Sequence, residues 1–272
     1  MNRVKKSLSA LTTASIHQEL NQALFSNMSK VVLITGAAGG IGSAIAKELA
    51  DAGYDIVIHY NSSKEKALLL QKQIQNVRTM IIQADVSKED EVDQMISLIE
   101  TEMGGVDILI NNAAIDEPDL FYKKDAETFR KILDVNVIGA FNCAKRVYKH
   151  MMEKEYGKII NISSTNGINT YYPMCLDYDA SKAALISLTH NLAIQFAPYV
   201  NVNAIAPGFI GTEKELEGYD EEFLKQETDK ILVKRYGQPE EVAHLVKFLI
   251  SDEAAYINNS IIRIDGGQTG SC

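Results

Sequence analysis

The sequence predicts a single doubly wound α/β domain, with a mostly parallel, seven-stranded sheet and helices on both faces. The strand-like runs are apolar throughout rather than alternating, which is typical of strands buried on both faces. Amphipathic helical stretches separate these runs, and a glycine-rich turn joins the first run to the first helix. The 272 residues suffice for one such domain.

The elements alternate along the chain. The predicted strands are 31–35, 55–59, 79–83, 106–110, 158–162, 200–205 and 261–264. The predicted helices are 41–52, 64–75, 89–103, 126–152, 181–196 and 240–249. Right-handed crossovers between parallel strands distribute such helices over both faces, and ligands are expected at the carboxyl ends of the strands.

The first 27 residues differ from the rest. This segment contains three basic residues, Arg3, Lys5 and Lys6, and one acidic residue, Glu19. Apolar residues recur in it every three to five positions, which is close to a helical stripe. This composition is compatible with an organellar transit peptide, but we favour an additional helix that packs on the domain or on a neighbouring subunit. The predicted organisation is a helical extension over 1–27 and an α/β domain over 28–272.

Charge and composition exclude several classes of partner. The chain carries 27 basic and 36 acidic residues, a formal net charge of −9 that repels nucleic acid and anionic lipid. No apolar run reaches the roughly 20 residues that span a bilayer. Three separated cysteines, Cys143, Cys175 and Cys272, indicate free thiols in a reducing cytosol. We therefore expect a cytoplasmic protein without nucleic-acid or membrane partners, and no metal site.

The glycine-rich turn is a candidate phosphate site. Its small side chains let a pyrophosphate approach amide N–H groups at a helix N-terminus. By itself the turn is weak evidence, because such a turn often binds nothing. No Lys-Ser/Thr pair follows the last glycine, which disfavours a Walker-type nucleotide site. The candidate residues are Gly36, Ala38, Gly39, Gly40, Ile41 and Gly42.

The end of the second strand bears on the choice of dinucleotide. A site for NAD usually has a carboxylate about 20 residues after the glycine turn, on the ribose hydroxyls. Here Asn61, Ser62 and Ser63 occupy that place, followed by Lys64. These groups can donate hydrogen bonds to a 2′-phosphate, so NADP(H) is favoured. NAD(H) is still an alternative, because the segment lacks arginine. A simpler alternative is that these residues form a solvated turn that contacts no cofactor.

Tyr178 and Lys182 form a candidate catalytic pair. They stand four residues apart at the start of a predicted helix, so their side chains face the same way. A neighbouring ammonium lowers the pKa of a phenol, which would suit Tyr178 to proton exchange near neutral pH. Such pairs are common by chance. This one follows a strand that ends at Ser163 and Ser164, on the side where a cofactor is expected.

From about Lys30 to Gly267 the chain resembles the short-chain dehydrogenase/reductase superfamily, which implies a Rossmann domain and NAD(P)-dependent hydride transfer between nicotinamide and a carbonyl or alcohol carbon. Each motif is loose alone, but eight of them in the right order are specific. They are 35–42, Asp85-Val86, 111–114, Asn136, Ser164, Tyr178 with Lys182, Pro207-Gly208 with Thr212, and 265–267.

The resemblance implies a role for each matched residue. Tyr178 would exchange the proton with the substrate oxygen, and Ser164 would orient that oxygen. Lys182 would bind the nicotinamide ribose and lower the pKa of Tyr178, while Asn136 would hold a water in the proton relay. The other implied cofactor contacts are Asp85, Val86, Asn112, Ala113, Ala114, Pro207, Gly208, Ile210 and Thr212. Two departures are Ala114, where glycine is usual, and one additional residue between Ser164 and Tyr178.

Substrate contacts are expected from residues 116–122, 165–177 and 209–230. The last segment is acidic and is expected to form a lid or a solvated helix face. Overall the chain is most similar to the 3-oxoacyl carrier-protein reductases, which dock an acidic carrier protein through basic residues. The matching places hold Glu155, Pro198 and Tyr199, which cannot attract an acidic helix.

We therefore prefer a small ketone, a sugar, or a free or CoA-linked oxoacyl substrate, with the carrier-protein reductase as the alternative. A non-catalytic nucleotide-sensing regulator on the same fold should have lost Tyr178 or Lys182, and both are present. The predicted helices 126–152 and 181–196 match those that pair subunits in the family. This match implies a homotetramer, with a dimer as the second choice.

Overall fold

The computed structural model describes residues 29–169 and 171–268, so the predicted extension over 1–27 lies outside it. Within the described residues, seven strands form one parallel sheet, as predicted. They are β1 (Val31–Ile34), β2 (Asp55–Tyr60), β3 (Thr79–Gln83), β4 (Ile108–Asn111), β5 (Gly157–Ile162), β6 (Val200–Pro207) and β7 (Ile261–Ile264). Their order in the sheet is β3-β2-β1-β4-β5-β6-β7. Strands β2 and β3 are therefore added on one side of β1, and strands β4 to β7 on the other side.

Nine α-helices connect the strands within the described residues. They are α1 (Gly40–Asp51), α2 (Lys64–Gln73), α3 (Glu89–Met103), α4 (Ala126–Leu133), α5 (Gly139–Glu153), α6 (Leu176–Gln195), α7 (Glu213–Glu217), α8 (Glu221–Asp229) and α9 (Pro239–Ile250). A π-helical segment, Asp134–Ile138, joins α4 to α5.

The sheet is buried on both faces, as its apolar strands predict. In β1, Val32 and Ile34 enter one hydrophobic cluster, together with residues of α1, α2 and α9. Val31 and Leu33 point the other way, into a second cluster with residues of α3, α5 and α6. Because successive side chains of a strand alternate between faces, a strand that serves two clusters must be apolar throughout.

Two predicted helices differ clearly from the structure. The single helix over 126–152 is interrupted by the π-helical segment, which contains the buried Asn136. The helix predicted from 181 begins at Leu176, with Asp177 and Asp179 in its first turn. Acidic side chains are favourable there because they face the positive end of the helix dipole. The acidic segment after β6 forms the short helices α7 and α8.

Candidate active site

A cavity of about 510 Å³ lies at the carboxyl ends of the strands. Segments that follow each of the seven strands contribute to its lining, which is why residues far apart in the sequence meet there. All the predicted catalytic and cofactor residues line this cavity except Asn136. The predicted substrate segments also reach it, through Asp116, Tyr172 and Glu215 among others.

The glycine turn is held rigidly beside the fourth strand. Gly36 has φ +63°, and a Cβ there would lie 2.9 Å from the Cα of Ala113, so glycine is required. The Thr35 hydroxyl accepts hydrogen bonds from the N–H groups of Asn112 and Ala113, both at 3.0 Å. The Asn112 amide donates to the carbonyls of Thr35 and Gly36, at 3.0 and 3.1 Å. Asn112 therefore shapes the turn, with its side-chain donors already engaged.

His59, at the end of β2, is a site residue that the sequence analysis missed. Its Nδ1 accepts a hydrogen bond from the Gly36 N–H at 3.0 Å, and its Nε2 donates to the Ala84 carbonyl at 2.9 Å. This pair of partners requires the neutral ring with its proton on Nε2. The ring thus joins the glycine turn to the segment that carries Asp85 and Val86. The available signal was a histidine that directly follows the apolar run Ile56–Ile58 of this strand.

The stability of the protein should fall in acid because of His59. Burial lowers the pKa of this imidazole from 6.5 to about 4, and the Ala84 hydrogen bond and the Asp85 charge only partly offset it. The unfolded chain therefore binds a proton that the folded protein rejects. The contribution of the neutral His59 to the free energy of unfolding is therefore complete above pH 6.5. It falls by roughly 3 kcal/mol as the pH decreases towards 4.

Urea unfolding at a series of pH values measures this loss. His59→Asn should flatten the stability curve over that range. The exposed His190→Gln should leave its slope unchanged, as the control, since the hydrogen-bond partner of His190 is the uncharged Asn259 amide. A His59→Asn protein with the wild-type pH slope would contradict the assignment.

Tyr178 and Lys182 face each other across the first turns of α6. The Lys182 Nζ lies 5.4 Å from the centre of the Tyr178 ring and donates to the Ile162 carbonyl at 2.7 Å. The Tyr178 phenol and the Ser164 hydroxyl share a hydrogen bond. Gly167 permits this approach, because a Cβ there would lie 2.6 Å from the backbone carbon of Lys182. The Ser163 hydroxyl donates to the Lys182 carbonyl at 2.9 Å.

The pKa values of this pair are set mainly by burial. Burial raises the pKa of Tyr178, the carboxylates of Asp116 and Glu215 raise it further, and the bond to Ser164 opposes them. The predicted lowering of the phenol pKa is therefore wrong for the protein alone. Burial lowers the pKa of Lys182 to about 8, and the Asp116 charge opposes that shift.

Asn136 does not line the cavity but hydrogen-bonds Ile115, which does. Its amide nitrogen donates to the Ile115 carbonyl at 2.9 Å and to the Ser181 hydroxyl at 3.0 Å. Its amide oxygen accepts from the Ile115 N–H at 2.8 Å. Asn136 thereby ties the segment after β4 to α6, close to Tyr178 and Lys182. The π-helical turn places this side chain inward, as such turns often do at functional sites.

A buried ion pair holds the substrate segments together. The Lys124 Nζ lies 2.7 Å from both carboxylate oxygens of Asp177, with side-chain exposures of 5% and 0%. Lys124 also donates to the Glu117 carbonyl at 2.5 Å. Asp177 directly precedes Tyr178 and accepts a hydrogen bond from its backbone N–H. The pair therefore fixes the segment after β4 against the start of α6.

The comparisons with known proteins agree with this geometry. Residues 36–269 match the family described as Enoyl-(Acyl carrier protein) reductase. The 3-oxoacyl-[acyl-carrier-protein] reductase FabG of Staphylococcus epidermidis is 37% identical over 244 residues, 89% of this chain and 99% of that protein. A short chain dehydrogenase from Bacillus anthracis superposes with a TM-score of 0.80 at 33% identity, covering 88% of this chain and 96% of that one. The chain belongs to the short-chain dehydrogenase/reductase family.

Membership confirms the predicted fold and activity class. This reductase is an NAD(P)-dependent oxidoreductase that acts on carbonyl or alcohol groups. Another similar structure is the acetoin dehydrogenase YohF from Salmonella typhimurium, with a TM-score of 0.80 at 34% identity, covering 90% of this chain and 99% of that one. The resemblance to 3-oxoacyl carrier-protein reductases is confirmed as well.

The residues of this reductase fit the nicotinamide dinucleotide that the family uses. A Cβ at Gly39 would meet only the Gly36 carbonyl, at 3.5 Å, so the backbone there is open to a phosphate. Among the described residues, no three His, Cys, Asp or Glu side chains gather as a metal ion requires. In the same part of the chain, every helix is too short or too polar to cross a bilayer.

Proposed function

We propose that this reductase moves a hydride between nicotinamide C4 of NADP(H) and the carbonyl or secondary alcohol carbon of a small molecule, with Tyr178 as acid and base. The observation that carries the proposal is the shared hydrogen bond of Tyr178 and Ser164 inside the cavity, with Lys182 beside the ring. Two hydroxyls so placed can hold one substrate oxygen between them.

Each residue of the site has a separate role in the proposed reaction. When bound, the cofactor supplies or accepts the hydride. Tyr178 gives its proton to the substrate oxygen in reduction and takes it back in oxidation, while Ser164 orients that oxygen. Lys182 binds the nicotinamide ribose. Both N–H groups of the Asn136 amide are engaged by protein atoms, so a relay water would accept no hydrogen bond from that side chain.

The direct test is a panel of ketones and alcohols followed at the nicotinamide absorbance. We expect turnover of at least one neutral small ketone with NADPH. A panel in which no carbonyl or alcohol reacts with either cofactor would overturn the proposal.

The preference for NADP(H) is supported by the end of β2. Asn61, Ser62 and Ser63 line the cavity at the place of the usual NAD carboxylate. Ser62→Asp should repel a 2′-phosphate and reverse the preference, weakening NADPH binding about tenfold or more. Fluorescence titration with NADPH and NADH measures both affinities.

Gln75→Glu adds the same charge at an exposed position outside the cavity and serves as the control. Tighter binding of NADH than of NADPH by the wild-type protein would contradict the preference.

For the substrate we propose a small ketone, a sugar, or a free or CoA-linked oxoacyl compound. At the predicted carrier-docking position, the Tyr199 phenol hydrogen-bonds the Glu155 carboxylate, so neither residue offers a positive charge to an acidic carrier. The carrier-protein reductase is the second candidate, favoured by the identity to FabG. A carrier-bound 3-oxoacyl thioester compared with its CoA analogue separates the two.

We also propose a cytoplasmic homotetramer, with a dimer as the second choice. Apolar side chains stay exposed on α5 and α6, the helices predicted to pair subunits: Phe141 (42%), Tyr148 (41%) and Ile194 (69%). Free thiols at Cys143 and Cys175 suit a reducing compartment.

A further inference from the structure

The turn that carries Ser164 is bound to the helix that carries Tyr178 through one buried carboxylate. The Ser164 hydroxyl, which shares a hydrogen bond with the Tyr178 phenol, accepts another from the Asn166 N–H at 3.1 Å. The Asn166 amide nitrogen donates to one carboxylate oxygen of Asp179 at 2.6 Å. Asp179 stands next to Tyr178 on α6 and is 8% exposed. Asn166 therefore bonds Ser164 through its backbone and α6 through its side chain.

The second carboxylate oxygen of Asp179 holds the loop that precedes α6. It accepts a hydrogen bond from the Tyr172 backbone N–H at 3.2 Å. The two oxygens thus accept from different segments, the turn after β5 and the loop before α6. Burial raises the pKa of Asp179, and the bonds from Asn166 and Tyr172 oppose that shift. Because a buried carboxylate is costly without such donors, Asp179 fixes both segments to α6.

Tyr172 also connects this loop to α8. Its hydroxyl donates to the Glu227 carboxylate at 2.5 Å, and Glu227 is 3% exposed and accepts from Lys230 at 2.6 Å. On the same helix, Phe223 lines the cavity and stacks on Tyr219, with 4.3 Å between the ring centroids. The helix therefore contributes to the cavity wall, and Glu227 holds it from outside the cavity.

These contacts form one continuous path of hydrogen bonds. The path runs from Ser164 through Asn166, Asp179 and Tyr172 to Glu227. Hydrogen bonds in proteins span only about 2.5–3.2 Å between the donor and acceptor atoms. The helix α8 therefore cannot move away from the cavity without breaking one of these bonds or moving the loop before α6.

We propose that Asp179 and Glu227 are positioning residues: they hold the Ser164 hydroxyl in place for the substrate oxygen and connect that placement to the position of α8. The inference rests on the proposed function. Neither carboxylate lines the cavity, so both act through Ser164 rather than on the substrate. A small displacement of an orienting group is enough to slow a reaction, which gives these distant bonds a kinetic effect.

Asp179→Ala tests the near end of the path because it removes both acceptors. It should lower kcat/KM for an accepted ketone about tenfold and keep NADPH affinity within about threefold. In a Ser164→Ala protein the same substitution should change kcat/KM by less than about twofold. An effect of the Asp179 charge on Tyr178, or a general loss of packing, would persist in that background. The exposed Asp51→Ala on α1 is the control and should match wild type.

An exchange of donor and acceptor tests the same contact without removing it. Asn166→Asp places two carboxylates against each other and should lower kcat/KM about tenfold or more. Asn166→Asp combined with Asp179→Asn again provides one donor and one acceptor at this contact, and an oxygen for the Tyr172 N–H. Its kcat/KM should return to within about threefold of wild type. A double variant as slow as Asn166→Asp would overturn the inference.

Glu227 tests the far end of the path. Glu227→Ala removes the acceptor of the Tyr172 hydroxyl and should lower kcat/KM about fivefold, but less than about twofold in the Ser164→Ala protein. Glu227→Gln keeps an acceptor oxygen and should stay within about twofold of wild type. Glu222→Ala is the control, since Glu222 lies on the same helix, is exposed and does not line the cavity.

Each outcome bears on one proposal or on both. Wild-type kcat/KM in Asp179→Ala and Glu227→Ala, or equal losses with and without the Ser164 hydroxyl, would overturn the inference alone, provided that turnover still requires Tyr178. Failure of every ketone to react would overturn the proposed function and the inference with it.

Discussion

Tyr178→Phe is expected to lower kcat about a thousandfold with any accepted ketone, while NADPH affinity stays within about threefold. The substitution removes the hydroxyl that shares a hydrogen bond with Ser164 but keeps the ring beside Lys182. Proton transfer is therefore lost without disturbing the cavity wall. Steady-state kinetics and fluorescence titration measure the two effects separately.

A neighbouring tyrosine provides the control. Tyr171 lies in the loop before α6, is 71% exposed and does not line the cavity, so Tyr171→Phe should keep wild-type turnover. Turnover of Tyr178→Phe within about tenfold of wild type would refute the assignment of the proton donor.

The pKa of Tyr178 also gives the direction of the pH dependence. Because burial and the nearby carboxylates raise this pKa, the phenol keeps its proton at neutral pH. Ketone reduction, which needs that proton, should be insensitive to pH across the neutral range. Alcohol oxidation needs the phenolate and should rise with increasing pH.

Lys124→Ala is expected to destabilise the protein by about 3–5 kcal/mol. The substitution leaves the Asp177 carboxylate fully buried without its cation and removes the donor to the Glu117 carbonyl. An unpaired buried charge is costly because no water replaces the lost partner. Urea unfolding followed by circular dichroism measures the free energy of unfolding.

The adjacent Lys123→Ala is the control, because Lys123 is exposed and lies 3.9 Å from Asp119. It should change the free energy of unfolding by less than about 1 kcal/mol. The double variant Lys124→Met with Asp177→Leu should recover much of the loss, since it buries no charge. Equal destabilisation by Lys124→Ala and Lys123→Ala would show that the buried pair contributes no more to the free energy of unfolding than the exposed lysine does.

Much of the site could be predicted because its signals are local. The bounds of β3, β7 and α3 agree with the sequence, since apolar runs and acidic helix starts mark them. The glycine turn and the Tyr178–Lys182 spacing are visible within a few residues of chain. Their meeting in one cavity follows from the parallel order of the strands, which the alternation of elements already implied.

Other features depend on residues that only the sheet brings together. The π-helical turn at Asn136 accompanies bonds to Ile115 and Ser181, 21 and 45 positions away, so helical periodicity alone could not show it. The predicted direction of the Tyr178 pKa was wrong because it considered only the neighbouring Lys182 ammonium. Burial and the carboxylates of Asp116 and Glu215, which raise this pKa, become visible only in the structure.

The doubly wound fold, the glycine turn and the candidate catalytic pair could be predicted, because two-sided burial and helical spacing are properties of short stretches. The neutral bridge of His59, the buried Lys124–Asp177 pair and the charge around Tyr178 could not. These depend on desolvation and on contacts between strand ends, and both arise only when distant segments pack at one edge of the sheet.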